Sequence, residues 1–459
     1  MGIKYTRLGG MTAFATVTAL LFAACGNGTG DVAAPPLVEP PATGEVIAPE
    51  TLPAQIGQCA DITGTVNFRW WGGDGRAALQ QEAIEAFNAM YPNITVNTQP
   101  MAFSGYWDQL QIEAIAGNTP DLFTANEAWI SSLVSGNVLA DLRTIDTVDL
   151  SNFSDDALGV AVSGNHVYAI PTGGNAAAML VNFDILEEVG VSVPDDSAWS
   201  WDDFHALATE ISSAGLTNHN GDAIFGVSSV TGQLGTRIWA NQADGGMFTA
   251  DGELNWSQDA MEEYLTFLQD MIDSGATPDA VLQTEYGQAP GESMMALGRA
   301  AFQPQWSNQL AVASPPDANI GLLRMPGDHT STHMGTWLNP TMFFGIASNA
   351  QDPEAAGCLL DFMVNHEQAA TIMGIDRGVP FNPAMLAVVE PALSGPNLAQ
   401  AEFMEKIAQD GAVSIPLPEL TEDINLLVIQ FTDPVIFGLM TPAAAAAGMH
   451  AALNDARIG

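Results

Sequence analysis

Basic residues are the scarcest feature of this chain: Lys and Arg together number 11 against 53 Asp and Glu, a net charge of −42. The lysines are Lys4 and Lys406. So one-sided a chain repels phosphate backbones and excludes nucleic acid as a partner, although charge of this kind governs solubility rather than fold. Cysteine is nearly as rare, with Cys25, Cys59 and Cys358 present. That is too few for a zinc cage. His329 and His333 lie in a polar segment after Pro326-Gly327 that reads as an exposed loop, so no metal and no cofactor is expected. A Gly-x-Ser-x-Gly nucleophile elbow is absent. The apolar stretch from Met11 to Ala24 is too short for an ordinary spanning helix.

That stretch follows Lys4 and Arg7, and residues 1–24 read as an export signal. Its end, Leu21-Phe22-Ala23-Ala24-Cys25-Gly26, resembles a bacterial lipobox, with Phe22 where Leu or Val is usual. The resemblance implies cleavage before Cys25 and a diacylglycerol on its thiol. Residues 25–57 are rich in Pro, Ala, Gly and Glu without helical or strand period, and read as an extended tether. Gly26, Gly28 and Gly30 follow no strand and open no helix, so they are not a nucleotide-binding fingerprint.

Roughly 400 residues remain, enough for two domains. Thr65 to Trp71 reads as a strand ending at Gly72-Gly73-Asp74-Gly75, Arg76 to Tyr91 as a helix stopped by Pro92, and Ile94 to Thr98 as a second strand. Such strand–helix–strand units build a parallel sheet of an α/β protein. The alternation continues with helices at 106–116, 128–135, 201–214, 257–274 and 353–365, and strands at 121–125, 224–227 and 320–323. Val167 to Pro171 is expected to enter a turn at Gly173-Gly174 before Ala178 to Asn182 extends again. Pro304 is expected to keep the segment around it out of any helix or central strand.

Several of these pieces together resemble the extracellular solute-binding proteins of ABC importers, in the group that includes maltose-binding protein (family 1). They include Phe68-Arg69-Trp70-Trp71-Gly72, Tyr91-Pro92-Asn93-Ile94-Thr95-Val96, Tyr106-Trp107-Asp108-Gln109-Leu110, Gly117-Asn118-Thr119-Pro120-Asp121 and Gly136-Asn137-Val138-Leu139-Ala140-Asp141-Leu142. Later pieces are Tyr168-Ala169-Ile170-Pro171, Gly298-Arg299-Ala300-Ala301-Phe302 with Trp306-Ser307-Asn308-Gln309, and Arg377-Gly378-Val379-Pro380-Phe381. Asn126-Glu127 stands where many relatives have Met-Asp. The resemblance implies a two-lobed periplasmic-binding-protein-like (type II) fold, each lobe a sheet flanked by helices and joined by crossover hinges. One lobe would comprise residues 58–170 and 340–378, the other 171–339 and 379–459. It implies a monomer on the extracellular face of the membrane, or in the periplasm, delivering a small carbohydrate to permease subunits. It also puts Cys59 just before the first strand and Cys358 on a helix of the same lobe. There they would be bridged, or left as a free thiol and a buried one.

Carbohydrate recognition needs flat apolar faces for C–H surfaces and planar polar groups for hydroxyls. Candidates at strand ends and loops are Trp71, Gly72, Tyr106, Trp107, Asn126, Glu127, Asn175, Trp239, Trp306, Trp337 and Arg377. Trp70 and Trp71 must point to opposite faces of their strand, and the turn-proximal Trp71 is the one assigned to the cleft. Trp107 reads equally well as the buried face of its helix, and Trp201 reads as packing. Two other functions compete: a receptor for a charged solute such as a polyamine or peptide, and an extracellular glycosidase. Asn and Gln, rather than paired acids, recur beside the tryptophans, and neutral amides bind hydroxyls without catalysing glycoside hydrolysis.

Overall fold

The computed structural model describes residues 58–457, apart from 250, 287–289, 316, 328–334 and 412–423. The signal, the lipobox with Cys25, the tether, and His329 and His333 therefore lie outside the described residues. Among those described, no helix is long and apolar enough to cross a membrane.

The chain begins as the sequence suggests. Strand β1 (Gly64–Trp71) runs into helix α1 (Asp74–Met90), and β2 (Ile94–Met101) returns parallel to β1. Helix α2 (Tyr106–Ala116), β3 (Leu122–Ala125) and α3 (Glu127–Ser135) follow, with β3 parallel to β1 on its other side. A short hairpin of β4 (Val162–Ser163) and β5 (His166–Val167) leads to the long β6 (Ile170–Asn182). Next come α4 (Trp201–Ser213), β7 (Phe225–Val227), α5 (Gly232–Asp244), α6 (Gln258–Asp273), β8 (Ala300–Trp306), β9 (Ile320–Leu323) and β10 (Leu338–Ile346). Helices α7 (Pro353–Asn365), α8 (Pro396–Gln409), α9 (Ile424–Ile436) and α10 (Pro442–Asp455) complete the main elements. Apart from the β4–β5 hairpin, the strands form one mixed sheet in the order β2-β1-β3-β10-β6-β8-β7, with β9 also paired to β6.

Strand β6 holds the sheet together. Its first half pairs antiparallel with β10, from Ile170 opposite Phe344 to Ala176 opposite Leu338. Its second half pairs with β8 and with β9. The apolar clusters divide along the same line. Val66, Phe68 and Trp70 pack with α1 and α7, while Trp71, Tyr106, Phe123 and Phe343 form a second cluster. Successive residues of a strand point to opposite faces, so these two clusters lie on the two sides of β1 and β10. A third, larger cluster gathers Met179 and Val181 of β6 with α4, α6, α9 and α10.

Two sequence expectations are corrected. Gly173-Gly174 is not a turn; both glycines lie inside β6. They are small because another segment crosses them. Val379 exchanges backbone hydrogen bonds of 2.9 Å with Gly174 in both directions. A Cβ on Gly173 would stand 2.7 Å from the Gly378 carbonyl oxygen, and one on Gly174 would stand 2.6 Å from the Phe381 ring. Pro304, likewise, lies inside β8, opposite Met179. The β7–β8 pairing reaches only Phe302, so beyond it the proline ring meets no β7 partner that needs its missing N–H.

Cys59 and Cys358 are bonded, their Cα atoms 5.9 Å apart and 299 residues apart in sequence. The bridge fastens the segment preceding β1 to α7. Replacing both cysteines with alanine should lower stability by about 2–5 kcal/mol, because so long a closed loop restricts the unfolded chain. Denaturant melts of the oxidised and double-alanine proteins measure this. Gly173→Ala should cost about 1–3 kcal/mol, since backbone atoms are what the new methyl meets. The same melts decide, and an unchanged midpoint would mean the crossing segment moves aside freely.

Candidate functional site

The paired register around the middle of β6 brings one set of the expected residues together. Asn339 lies opposite Asn175, Leu338 opposite Ala176, and Trp306 opposite Ala177. The Asn339 side chain donates to the Asn175 side-chain amide oxygen at 3.0 Å, and the Ala176 N–H donates to the Ser307 hydroxyl at 3.1 Å. Trp306, the last residue of β8, meets Trp337 edge to face, with ring centroids 5.4 Å apart. Trp337 is 1% exposed. Its indole N–H, the Thr336 hydroxyl and the Asn308 side-chain amide oxygen are buried without a hydrogen-bond partner among the described residues.

A residue that sequence reasoning missed completes this set. Arg237 of α5 is 3% exposed and lays its guanidinium carbon 4.1 Å from the centroid of the Trp337 ring. The sequence pointed instead to Trp239, two positions along the same helix and so on nearly the opposite side. Trp239 packs against Trp201, Phe267 and Tyr264, with centroids 5.3 to 5.6 Å away. Half-buried, Trp239 packs against the large apolar cluster. The scarcity of cations was the signal available for Arg237, since a buried arginine is conspicuous in a chain with so few.

The second set lies at the carboxyl ends of β1 and β3. Trp71 stands edge-on to Phe103, Tyr106 and Trp129. Trp129 stacks on Trp107 at 4.6 Å and on Phe103 at 5.9 Å. Gly72 leaves the strand here, its N–H donating to the Met101 carbonyl at 3.0 Å. Phe103 is 57% exposed, so the group opens outward at that ring. Phe103 and Trp129 were not expected. Trp129 could have been read from its position in the first turn of a helix that follows a strand. Tyr106 is corrected: it has no exposed surface, and its hydroxyl donates to the Thr124 carbonyl at 2.9 Å. Burial pushes its pKa well above the ordinary tyrosine range. It supports Trp71 from behind.

Glu127 and Arg237, one beside each set, are near enough for their charges to interact. Glu127 opens α3, next to Asn126, whose carbonyl caps the turn by accepting from the Trp129 N–H at 3.0 Å. Burial raises the Glu127 pKa and lowers that of Arg237, and each group opposes the shift in the other. Arg237 is buried and Glu127 half-buried.

Arg377 belongs to neither set. Its guanidinium lies 4.6 Å over the Phe344 ring and donates to the Met373 sulfur at 3.6 Å. Phe344 faces the cluster of Trp70, whereas its neighbour Phe343 faces that of Trp71. Arg377 therefore sits on the other side of the sheet from Trp71, where burial pulls its pKa down to about 9.

An α/β protein with aromatic rings and amides gathered at strand ends has the parts to hold a small polar solute. The comparisons identify the class: residues 82–400 match the model of bacterial extracellular solute-binding proteins, and the chain belongs to that family. It is 23% identical to a putative binding protein of Brucella abortus over 66% of this chain and 72% of that one. Among solved structures, a periplasmic solute-binding protein of Pectobacterium atrosepticum superposes with a TM-score of 0.74 at 20% identity, covering 86% of this chain and 98% of that one. A periplasmic oligogalacturonide-binding protein of Yersinia enterocolitica superposes with a TM-score of 0.69 at 18% identity, covering 86% and 100%.

The assignment of Trp239 to packing has a measurable consequence. Trp239→Ala should cost about 3–5 kcal/mol of stability, as large-to-small changes in aromatic clusters do. A denaturant melt showing less than about 1 kcal/mol would return Trp239 to the list of exposed binding residues.

Proposed function

We propose that the protein captures a mono- or oligosaccharide outside the cell and delivers it to the permease of an ABC importer. The observation that carries this reading is the group around β6. The half-buried Trp306 stands at right angles to the buried Trp337 beside the hydrogen-bonded Asn175 and Asn339, and an indole N–H, a hydroxyl and an amide oxygen there have no partner among the described residues. Sugars offer both C–H faces and hydroxyls that donate and accept, so one ligand class answers every part of the group. The family consists of substrate-binding proteins, and a structural relative is named for an oligosaccharide, which favours capture over hydrolysis.

In this reading, residues 58–170 with 340–378 and residues 171–339 with 379–459 are two lobes that close over the sugar by hinging where β6 and β10 cross. The aromatic set of Trp71, Trp107 and Trp129 covers the ligand from one lobe, and Trp306, Trp337 and Asn175 hold it from the other. Cys25 anchors the chain to the membrane, and a monomer suffices.

Calorimetric titration against a panel of mono- and oligosaccharides tests the proposal. One or more should bind saturably, raise the melting temperature as ligand linkage requires, and release no new reducing ends. Trp306→Ala should weaken that binding by about thirtyfold or more while moving the ligand-free melt little, because the ring ends its strand. Normal binding in a mutant that melts early would remove Trp306 from the site.

A further inference from the structure

Resting on the carbohydrate reading of the same site, we infer that the ligand is an oligosaccharide rather than a single sugar, and that Phe103 is the surface on which its outer ring lies. Phe103 sits in the turn between β2 and α2, and its carbonyl accepts from the Tyr106 N–H at 3.2 Å, which ties the turn to the start of that helix. Its ring stacks on Trp129 with the planes 13° apart and stands edge-on to Trp71. Trp129 is itself stacked on Trp107. These supporting rings are buried or half-buried, whereas Phe103 is 57% exposed. A lone exposed phenylalanine signifies little. This one is the uncovered member of an aromatic stack, so its orientation is set before any ligand arrives. A flat apolar face held in that way fits the C–H side of a sugar ring.

Strand register separates this ring from the group around β6. Met101 pairs with Trp71, and continuing the β1–β3 register puts Trp71 level with Ala125, which pairs with Phe343. One row thus runs across β2, β1, β3 and β10. Phe103 lies two residues past the β2 end of the row. The direction of β10 is reversed, so Asn339, opposite Asn175, lies four residues from the row on that same side. Three strand spacings across and two to four residues along separate Phe103 from the asparagines by roughly 15–20 Å. Both lie beyond the carboxyl ends of β1 and β3, where open α/β sheets take their ligands. A single sugar held by Trp306, Asn175 and Asn339 leaves Phe103 uncovered, and a ligand of two or more linked rings meets both.

The full-length protein is titrated calorimetrically with glucose, galactose and galacturonate, and with the α-1,4 and β-1,4 oligosaccharides of each from two to four rings. At least one series should bind with an affinity that rises about tenfold or more from the single sugar to its longer members. Phe103→Ala should cut that ratio by about tenfold or more, as the loss of an aromatic anchor does. Its ligand-free melting temperature should stay where it was, because the ring is mostly in water. Phe103→Tyr keeps a flat ring and should keep the ratio, while Phe103→Leu keeps apolar bulk without a ring and should lose it. Three outcomes overturn the inference and leave the carbohydrate reading intact. Single sugars bind as tightly as the longer members of their series, a folded Phe103→Ala protein keeps the ratio, or that variant weakens short and long sugars equally. Binding of none of these sugars overturns the carbohydrate reading and this inference with it.

Discussion

Everything at the candidate site depends on the antiparallel pairing of β6 with β10. The two strands carry Asn175 and Asn339 on their own backbones, Trp337 immediately precedes β10, and β8 brings Trp306 to the same level by pairing with β6 at Ala177. Slipping this register by one residue would send each of these side chains to the opposite face. The register is defended by more than the ladder. Gly173 and Gly174 admit the 377–381 segment against β6, and no larger residue fits there without displacing backbone or the Phe381 ring. A hydrogen-bonded crossing of three chain segments thus fixes where the site residues stand.

The scarcity of cations imposes the second constraint. In a chain this acidic, self-repulsion opposes compactness, and the few positive charges gain by sitting where they join distant parts. Arg76 pairs with Asp376 across 300 residues at 2.7 Å. Arg324 takes Asp196 and Asp410, and Lys406 takes Asp196 again, which ties α8 to the end of β9. Exposed ion pairs contribute little singly, but these are half-buried and share partners, so they act as a network. Arg237 is exceptional because it is the cation placed against a tryptophan among the site residues.

What could be read from the sequence was local and periodic. The strand ending at Trp71, the helix beginning at Tyr106 and the strand over 122–125 follow from alternation, capping and turn residues, and they lie within a residue or two of where the periodicity puts them. The opposite orientations of Trp70 and Trp71 followed from strand geometry alone. Features set by distant contacts were illegible. Gly-Gly usually signals a turn, and only the 377–381 segment reveals why these two lie in a strand. Pro304 usually excludes a strand, and only the early end of β7 makes it harmless. Tyr106 and Trp239 look like binding residues because aromatic rings beside polar neighbours do, yet what surrounds each ring is decided by tertiary packing.

Unpaired buried polar atoms need a careful reading, because Trp70, Trp199 and Trp256 also leave indole N–H groups without partners among the described residues. A lone orphan of this kind indicates little. The group around Trp337 differs in composition: an indole donor, the Thr336 hydroxyl that can donate or accept, and the Asn308 acceptor occur in two segments joined by the Trp306–Trp337 contact. Each buried group left unsatisfied costs about 1–3 kcal/mol. A purely apolar ligand would leave those costs standing, and a ligand carrying only acceptors would serve the indole and not the amide oxygen. Only a ligand presenting donors and acceptors side by side on a partly apolar frame removes them together, and a chain of hydroxyls on a sugar ring has that pattern.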